Sequence, residues 1–354
     1  MNILLKSGRI VDPSTKTDKV LDILISEGKI ALIGKNLKYK KSEIKLIDVS
    51  GKVVIPGVID IHTHLREPGH EEEETIATGT LSAAKGGITS VFCMANTHPV
   101  IDNQTAVEFI LLKAKNEGKV AIFLGFQSID PLEGNLAFLR VYHKLGVRII
   151  QPTYHFKTIV GDGCAERTDC GLSLFGIDLI EKMNKLGMLI DLAHVGKKTG
   201  LEIIEVSKDP VIFSHSNART LVDTYQNKTD EEIKAAAEKG GVIGISLLPR
   251  LLGNKPNLSI NDLMNHIDYA VNLVGAKHVG IGTDFIEGQA ENPEMKRLLL
   301  QIDGEIYRYP KDMDTITKFS SITKALVARG YSDDEIKKIL GENFMRVFKR
   351  VFKE

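Results

Sequence analysis

Net charge, long apolar runs and low-complexity segments are all missing from this sequence, and each absence excludes a class of protein. Lysine plus arginine and aspartate plus glutamate number 46 each, so the formal net charge is zero. This balance gives no indication of binding to nucleic acid or to an anionic membrane surface. No apolar stretch approaches the length that spans a bilayer, and the apolar part of Met1–Gly8 is too short for a signal peptide. We therefore expect neither a nucleic acid nor a membrane partner.

Cysteine is scarce as well. The chain has three cysteines, Cys93, Cys164 and Cys170, which are odd in number and lack the spacing of a zinc finger. Cys164 and Cys170 could form a disulfide, but a reduced protein is the simpler interpretation, and it indicates the cytoplasm. Apolar residues, in contrast, make up 43% of the 354 residues. This is enough for a large core, and the length lies in the range of an α/β barrel.

Residues 1–52 alternate short β-like runs with turn residues. The runs are Asn2–Lys6, Val20–Ser26, Lys29–Ile33 and Ile44–Asp48, with turn sequences such as Asp12-Pro13-Ser14 and Glu27-Gly28 between them. This pattern predicts a small β-sandwich-like domain built of hairpins. Because a domain of this size is marginally stable alone, we expect it to pack on the rest of the chain.

From residue 53 onward, apolar runs alternate with helix-like segments. Most runs are continuously apolar, as expected for strands covered on both faces; they are Val53–His64, Thr89–Asn96, Lys119–Gln127, Val147–Tyr154, Met188–His194, Pro210–His215, Val242–Leu248 and His278–Asp284. Eight β/α repeats predict an α/β fold, a TIM (β/α)8 barrel over residues 53–354. The C-terminal helices in Ser332–Glu354 would close the barrel or touch the β-domain. A doubly wound open sheet is the alternative, but no Gly-x-Gly-x-x-Gly follows the first strand.

His62-Thr63-His64 ends the first apolar run of the predicted barrel. In an extended strand, residues i and i+2 point to the same side, so the two imidazoles would converge while Thr63 faces away. Such a pair suits a borderline metal such as zinc. The alternative is a pair of polar residues where a strand leaves the core.

Later strands also end in groups that bind metal. His194, His215 and Asp284 close the fifth, sixth and eighth runs, and all strands of a barrel have their carboxyl ends on one face. A single histidine there is more often a satisfied core or rim residue, but the recurrence predicts a divalent metal site, with zinc as the first choice. Asp284 is placed to be ligand and general base, since a carboxylate beside metal-activated water can pass a proton to a leaving nitrogen.

Two parts of the chain resemble two different families. Residues 1 to about 118 resemble a dihydroorotase of the amidohydrolase superfamily, through the stretch VIPGVIDIHTHLREPGHEEEETIATGTLSAAKGGITSVFCMANTHPVIDN. The remainder resembles the renal-type, or membrane, dipeptidase family, through GDGCAERTDCGLSLFG, GMLIDLAHVG, DPVIFSHSNAR, GGVIGI, HVGIGTDF and GENFMRVF. Both families are metal-dependent hydrolases of C–N bonds on a TIM barrel. The resemblance therefore implies a hybrid of the metal-dependent hydrolase type, in which each part supplies ligands to one site.

The resemblance also implies a role for each matched position. His62 and His64 match the dihydroorotase metal pair. His194 and His215 match the histidines that hold the second dipeptidase metal, and Asp284 matches the strand-eight aspartate of both families.

Two further matches concern the substrate. Arg66 and Asn96 match the dihydroorotase groups that grip a substrate carboxylate, a task that a guanidinium fork and an amide donor suit well. The alternative for Arg66 is a surface ion pair with Glu67 or with the acidic run Glu71–Glu74.

One departure from the dipeptidase pattern concerns the metals. Gln127 stands where a glutamate bridges the two ions, and a neutral amide is a poor bridge because it leaves their repulsion uncompensated. Asp130, Glu133 or a carboxylated Lys157 are alternative bridges. The resemblance therefore leaves open one metal ion or two unequal ones.

Two more departures concern the substrate. Tyr154 replaces a histidine, and its hydroxyl either donates to a developing oxyanion or belongs to a rim aromatic that packs on the barrel mouth. His155 follows it and is expected to face elsewhere. Gln226 stands where the dipeptidase arginine binds the substrate carboxylate, and Arg219 or Arg66 are the replacements.

We expect a metal-dependent hydrolase of amide or peptide bonds in small carboxylate-bearing substrates. Dipeptidase-like cleavage ranks first, because the part that resembles dipeptidases supplies most of the predicted strands. A cyclic amidohydrolase of dihydroorotase or hydantoinase type is second, on the evidence of His62, His64, Arg66 and Asn96. A catalytically inactive relative that serves as an interaction partner is the third hypothesis. A homodimer is compatible with all three.

Overall fold

The computed structural model describes residues 2–12, 15, 17–40, 44–117, 120–253, 255, 257–286, 297 and 308–353. They divide into two units, Met1–Gly57 and Val58–Glu354.

The first unit is a five-stranded sheet. Its strands are β1 (Asn2–Asp12), β2 (Thr17–Ser26), β3 (Lys29–Gly34), β4 (Ile44–Asp48) and β5 (Val53–Val54). The order is β3-β2-β1-β4, with β5 also on β1; β1 and β2 form one antiparallel hairpin, β2 and β3 another, and β4 and β5 run parallel to β1. The described strands make a single sheet, whereas a sandwich has two. The buried apolar residues among them, Leu4, Ile10, Val11 and Ile23, are too few to fill the space between two layers.

The apolar run Val53–His64 forms two strands, which corrects the prediction of one. Val53–Val54 pairs with β1, and β6 (Val58–Thr63) begins only after Pro56-Gly57. Proline lacks the N–H that a ladder requires, so the run breaks there.

The second unit is built on eight parallel strands. They are β6 (Val58–Thr63), β7 (Ile88–Met94), β8 (Ala121–Phe126), β9 (Val147–Ile150), β10 (Leu189–Ile190), β11 (Ile212–Phe213), β12 (Val242–Ile245) and β13 (Val279–Ile281). Neighbours pair in chain order from β6 to β10 and from β11 to β13. Parallel bridges at Asp191–Ile212 and Thr63–Phe285 join the two groups at both edges. The ring is therefore closed, and the predicted TIM-type barrel is confirmed.

Helices follow the strands and cover the outside of the barrel. They are α1 (Ile76–Gly86), α2 (Gln104–Glu117), α3 (Phe138–Leu145), α4 (Leu174–Leu186), α5 (Lys197–Val206), α6 (Asp230–Glu238), α7 (Pro249–Leu252), α8 (Ile260–Val274), α9 (Ser320–Ala328), α10 (Asp333–Lys337) and α11 (Asn343–Val351). Within the described residues, every helix is too short or too polar to cross a bilayer.

The C-terminal helix packs against the barrel interior. Phe344, Val347, Phe348 and Val351 of α11 form one buried cluster with strand residues such as Ile61. The segment Lys338–Glu342, which is kinked at the non-helical Gly341, connects α11 to α10. Packing on the barrel is one of the two alternatives expected for the C-terminal helices, and α11 shows it.

Candidate metal centre

The structure brings the predicted strand-end residues together. His62 lies in β6 and His64 just beyond it, while His194, His215 and Asp284 follow β10, β11 and β13 within a few residues. All of these side chains are buried, with His64 the most exposed at 8%. Charged or basic groups are this deeply buried only when they have partners, so the cluster needs an electrostatic explanation.

Three of the residues meet at one point. Nε2 of His64 lies 3.2 Å from Oδ1 of Asp284, and Nε2 of His62 lies 3.6 Å from the same oxygen. Ligand atoms held about 2.0–2.1 Å from a tetrahedral ion lie roughly 3.3 Å from one another. The spacing of these three groups therefore fits a single divalent ion.

A change of register directs His62 toward the site. Ile59 and Ile61 belong to the cluster that fills the barrel interior, so strict alternation would turn His62 outward toward the helices. The pairing of β6 with β7 shifts between Asp60 and Thr63. Irregularities of this kind re-aim side chains at barrel rims, and here both histidines point inward.

The other two histidines adjoin the first pair, since the rings of His62 and His215 are 3.7 Å apart between centroids. Nε2 of His194 and Nε2 of His215 are 2.9 Å apart, and Nε2 of His215 lies 3.9 Å from Oδ2 of Asp284. Asp284 thus presents Oδ1 to His62 and His64 and Oδ2 to His215. The backbone of Asp284 has a φ of 49°, a strained conformation that is typical of functional sites.

A neighbouring amide determines how His64 faces the site. Nδ1 of His64 lies 2.9 Å from the side-chain oxygen of Asn96, which only accepts hydrogen bonds, so Nδ1 carries the proton. Nε2 faces Oδ1 of Asp284 at 3.2 Å. Either a proton or a metal ion between these two atoms satisfies both of them, so the geometry is one that a metal ion fits.

His215 is oriented in the same way. Its Nδ1 lies 2.7 Å from Oγ of Ser214, and that hydroxyl donates to Asp191 at 2.5 Å. Oγ therefore accepts from the imidazole, which leaves the lone pair of Nε2 toward His194. Relays from a carboxylate to a histidine of this kind fix the tautomer of metal ligands.

The protonation states also suit metal binding. Burial, reinforced by neighbouring histidines, holds the pKa of His62, His194 and His215 well below its ordinary value. Burial raises the pKa of Asp284, but contact with His64 and the proximity of His62 outweigh it, so the net shift is downward. At neutral pH these three imidazoles are therefore neutral and Asp284 is a carboxylate, the forms that bind a divalent cation.

Two buried aspartates that the sequence analysis missed hold the strand ends. Asp191 accepts hydrogen bonds from the backbone N–H and the hydroxyl of Ser214, and Asp60 accepts the same pair from Thr283. Burial raises the pKa of Asp60 to about 6 and also raises that of Asp191. Their position in the sequence could have indicated them, because Asp60 precedes His62 by two residues and Asp191 precedes His194 by three.

Gln127 contacts the cluster at His62, with its side-chain Nε2 3.1 Å from Nε2 of His62. The other proposed bridges, Asp130, Glu133 and Lys157, line an adjoining cavity.

Tyr154 and His155 both pack against His194, each with a ring-centroid distance of 4.4 Å. The expectation that His155 faces elsewhere was therefore wrong. Its φ of 61° turns the backbone so that consecutive side chains reach the same ring.

Burial and the Asp284 carboxylate raise the pKa of Tyr154 to about 12, so its hydroxyl is a donor at neutral pH. Burial and the charge of Arg250 lower the pKa of His155 to about 4.

A cavity of about 610 Å³ opens beside the cluster. Asn96, Gln127 and Tyr154 form the part of its wall that adjoins the histidines. This volume is typical of small-molecule sites.

The two arginines predicted to bind substrate have carboxylate neighbours of their own. Nε of Arg66, a buried residue, lies 3.0 Å from Glu73, one of the acidic residues named as its alternative partner. Arg219 is exposed and pairs with Asp223 at 2.7 Å.

Arg250 is the arginine that the sequence analysis missed. Its Nη2 donates to Oε1 of Gln226 at 2.6 Å and its Nη1 to the hydroxyl of Tyr225 at 2.7 Å. The guanidinium also lies over the Tyr225 ring, 5.4 Å from its centroid. It forms no ion pair with a carboxylate of the described residues, and its charge lowers the pKa of His155 and of Asp284. Gln226, which stands where the dipeptidase pattern has an arginine, thus accepts a hydrogen bond from a different arginine, Arg250 of α7.

Comparison with known proteins confirms both resemblances. The model of the membrane dipeptidase family (peptidase family M19) matches residues 83–299 and 301–353. An uncharacterized dipeptidase of Schizosaccharomyces pombe is 33% identical over 244 residues, which are 67% of this chain and 54% of that protein. A dihydroorotase of Geobacter metallireducens is 51% identical over 123 residues, which are 35% of this chain and 29% of that protein. The chain therefore spans about half the length of the first relative and less than a third of the second.

A solved structure agrees with this result. The crystal structure of an amidohydrolase from Pseudomonas aeruginosa superimposes with a TM-score of 0.71 at 31% identity, covering 84% of this chain and 97% of that chain. Because the dipeptidase model matches well over half of the sequence, this chain belongs to the membrane dipeptidase family, peptidase family M19.

Proposed function

We propose that this protein hydrolyses the amide bond of small carboxylate-bearing substrates, with dipeptides as the preferred class. The observation that carries the proposal is the buried Asp284 carboxylate, with Oδ1 beside His62 and His64 and Oδ2 beside His215, next to a small-molecule cavity. Membership of a metallodipeptidase family supports the same reaction class.

We further propose zinc as the metal. Nitrogen and carboxylate donors at tetrahedral spacing, as in His62, His64 and Asp284, suit zinc better than magnesium or calcium, which prefer oxygen ligands. The chemistry that such an ion supplies is activation of water at neutral pH and polarisation of a carbonyl. The second position, between His194 and His215, lacks an anionic bridge because of Gln127, so we expect it to be weaker.

The chain's own residues supply the proton transfers. The Asp284 carboxylate takes a proton from the attacking water and passes it to the leaving nitrogen, which becomes an amine. The Tyr154 hydroxyl, protonated at neutral pH, donates a hydrogen bond to the carbonyl oxygen as negative charge develops on it.

Arg250 is our choice for the group that binds the substrate carboxylate. Its guanidinium is fixed by Tyr225 and Gln226, lies near His155, and is not neutralised by a described carboxylate. A pre-oriented guanidinium that keeps free N–H groups is well suited to a second, bidentate partner.

Arg250→Ala is expected to raise KM for a dipeptide by about 10–100-fold with little change in kcat, because a hydrogen bond to a charged group contributes about 1.5–3 kcal/mol. Steady-state kinetics on a dipeptide and on its C-terminal amide measure the effect. The amide should lose little, and Arg219→Ala, which removes an exposed arginine, serves as the matched control. An equal loss on acid and amide would contradict the carboxylate role.

The function itself is tested with a panel of substrates. Metal-loaded protein is assayed on L,L- and L,D-dipeptides, N-acyl amino acids, dihydroorotate and hydantoins. We expect dipeptides to be cleaved fastest, a chelator to abolish turnover, and added zinc to restore it. Turnover confined to dihydroorotate or hydantoins would overturn the dipeptidase proposal.

Cyclic-amide hydrolysis is the second candidate function. The 51% identity to a dihydroorotase over the N-terminal part favours it, as does the contact between His64 and Asn96. An inactive interaction partner is the third hypothesis. It would be supported by absence of stoichiometric metal, together with no metal-induced rise in Tm.

We also infer a reducing compartment such as the cytoplasm. Cys93, Cys164 and Cys170 are all free thiols in the structure, and unpaired cysteines are typical of reducing compartments.

A further inference from the structure

We propose that His155, Cys164 and His194 form a distinct cation position that takes a thiophilic divalent ion such as Zn²⁺ or Co²⁺. The family resemblance assigns no metal to His155 or to Cys164. The inference does not depend on the reaction that the enzyme catalyses, because it concerns only what the side chains bind.

The geometry of the three groups is the first observation. One ring nitrogen of each histidine and Sγ of Cys164 all lie within 4.8 Å of one another. Sγ of Cys164 lies 3.6 Å from Nδ1 of His155. An ion bound at about 2.3 Å from sulfur and about 2.0–2.1 Å from nitrogen in a tetrahedral site separates those two atoms by roughly 3.6 Å.

An unpartnered nitrogen is the second observation. His194 is 3% exposed, its Nε2 faces His215, and its Nδ1 has no hydrogen-bond partner among the described residues. A buried ring nitrogen without a partner is costly. Nδ1 of His194 is therefore available as a second ligand atom, in addition to Nε2, which faces His215.

The loop that carries Cys164 is held firmly against both histidines. The Cys164 N–H donates to the carbonyl oxygen of His194, and the Ala165 N–H donates to the carbonyl oxygen of His155, both at 2.9 Å. A Cβ on Gly163 would lie 2.2 Å from the His155 carbonyl carbon, so only glycine permits this approach. The thiol is therefore pre-positioned beside the two rings.

Charge is the third observation. At the position between His194 and His215, Gln127 offers a neutral amide where the dipeptidase pattern has a glutamate, and the Asp284 carboxylate, 3.9 Å from Nε2 of His215, is shared with His62 and His64. Cys164 offers an anion once its proton is released to solvent, as happens when a thiol binds a metal. A second ion thus finds compensating charge at Cys164 that it does not find beside Gln127.

Cobalt substitution tests the proposal, because a Co²⁺–thiolate bond gives an intense near-ultraviolet charge-transfer absorption that imidazole and carboxylate ligands do not give. The metal-free full chain is titrated with Co²⁺ alone and the bound metal is counted. We expect the band in the unaltered protein, its loss in Cys164→Ser and its strong reduction in His155→Asn. Each of these two variants should bind about one ion fewer per chain. Cys170→Ser, which removes an exposed thiol outside the cluster, should keep both the band and the metal content.

Other results would overturn the proposed cation position. The proposal is wrong if the unaltered protein binds Co²⁺ without a thiolate band, or if Cys164→Ser keeps the band or the full metal content. Circular dichroism checks that each variant folds. If Cys164→Ser does not fold, alkylation of the unaltered protein decides, since bound Zn²⁺ should protect Cys164 and leave Cys170 reactive. Equal labelling of Cys164 with and without Zn²⁺ would also refute the proposal.

Discussion

Asp284→Asn is expected to lower kcat for dipeptide hydrolysis by about 10²–10⁴-fold, the range that a positioned general base contributes. An asparagine keeps the shape of the side chain but cannot take a proton from water at neutral pH. It also removes the negative charge that lies 3.2 Å and 3.6 Å from the two N-terminal histidines of the cluster. The measurement is kcat and KM at saturating zinc, with the bound metal counted in parallel.

Asp130→Asn is the matched control for this change. Asp130 lines the cavity beside the cluster but belongs to none of the described metal-binding clusters. It should retain kcat within a few-fold. If neutralising Asp130 costs as much as neutralising Asp284, the effect is the general field of the cavity, and the assignment of Asp284 as base is wrong. If Asp284→Asn keeps its full metal content but has a low kcat, the loss lies in proton transfer and not in metal binding.

The fold could be predicted from the sequence because its signals are local. Runs that are apolar on both faces indicate buried parallel strands, and eight of them in series leave few architectures other than a barrel. The terminal helix was predictable for the same reason, since its apolar face needs a surface to cover. Strand ends were less predictable: Met188–His194, for example, forms a strand only at Leu189–Ile190. The run Val53–His64, which forms two strands, contains a proline whose effect on pairing depends on partners far away in the sequence.

The candidate site was only partly predictable. A position at the end of a predicted strand is enough to mark a residue as a candidate ligand, as it does for His194 and His215. Arg250 could not be found in this way, because its importance lies in contacts with Tyr225 and Gln226, which are 24 or 25 positions earlier in the chain. His155 was misplaced because a positive φ breaks the usual rule for where consecutive side chains point.

The hybrid character of the sequence becomes a physical arrangement at Asp284. The part that resembles dihydroorotases supplies His62 and His64, which face one carboxylate oxygen, and the part that resembles dipeptidases supplies His215, which faces the other. A single aspartate therefore contacts histidines from two parts of the chain that match different families.

His194→Ala is expected to lower metal content and to abolish metal-dependent hydrolysis while the fold is kept. The imidazole lies 2.9 Å from His215 and 4.4 Å, between ring centroids, from both Tyr154 and His155, so its loss removes a donor from the centre of the cluster. Metal-ligand loss is usually far more damaging to binding than loss of an outer partner, which alone costs about 10–100-fold. Metal analysis, kinetics and thermal melting measure the three consequences separately.

His266→Ala is the matched control, because His266 is equally buried but lies outside the cluster. Its Nδ1 accepts from the Ala218 N–H and its Nε2 donates to the Leu252 carbonyl, both at 3.2 Å, so it is a satisfied structural histidine. Removing it should lower Tm by several degrees, at about 1 kcal/mol per lost hydrogen bond, and leave the metal content unchanged. We therefore expect His194→Ala to lose metal and His266→Ala to lose stability. If His194→Ala kept its metal and its activity, or if both variants merely lost stability, the strand-end histidines would be core residues and not ligands.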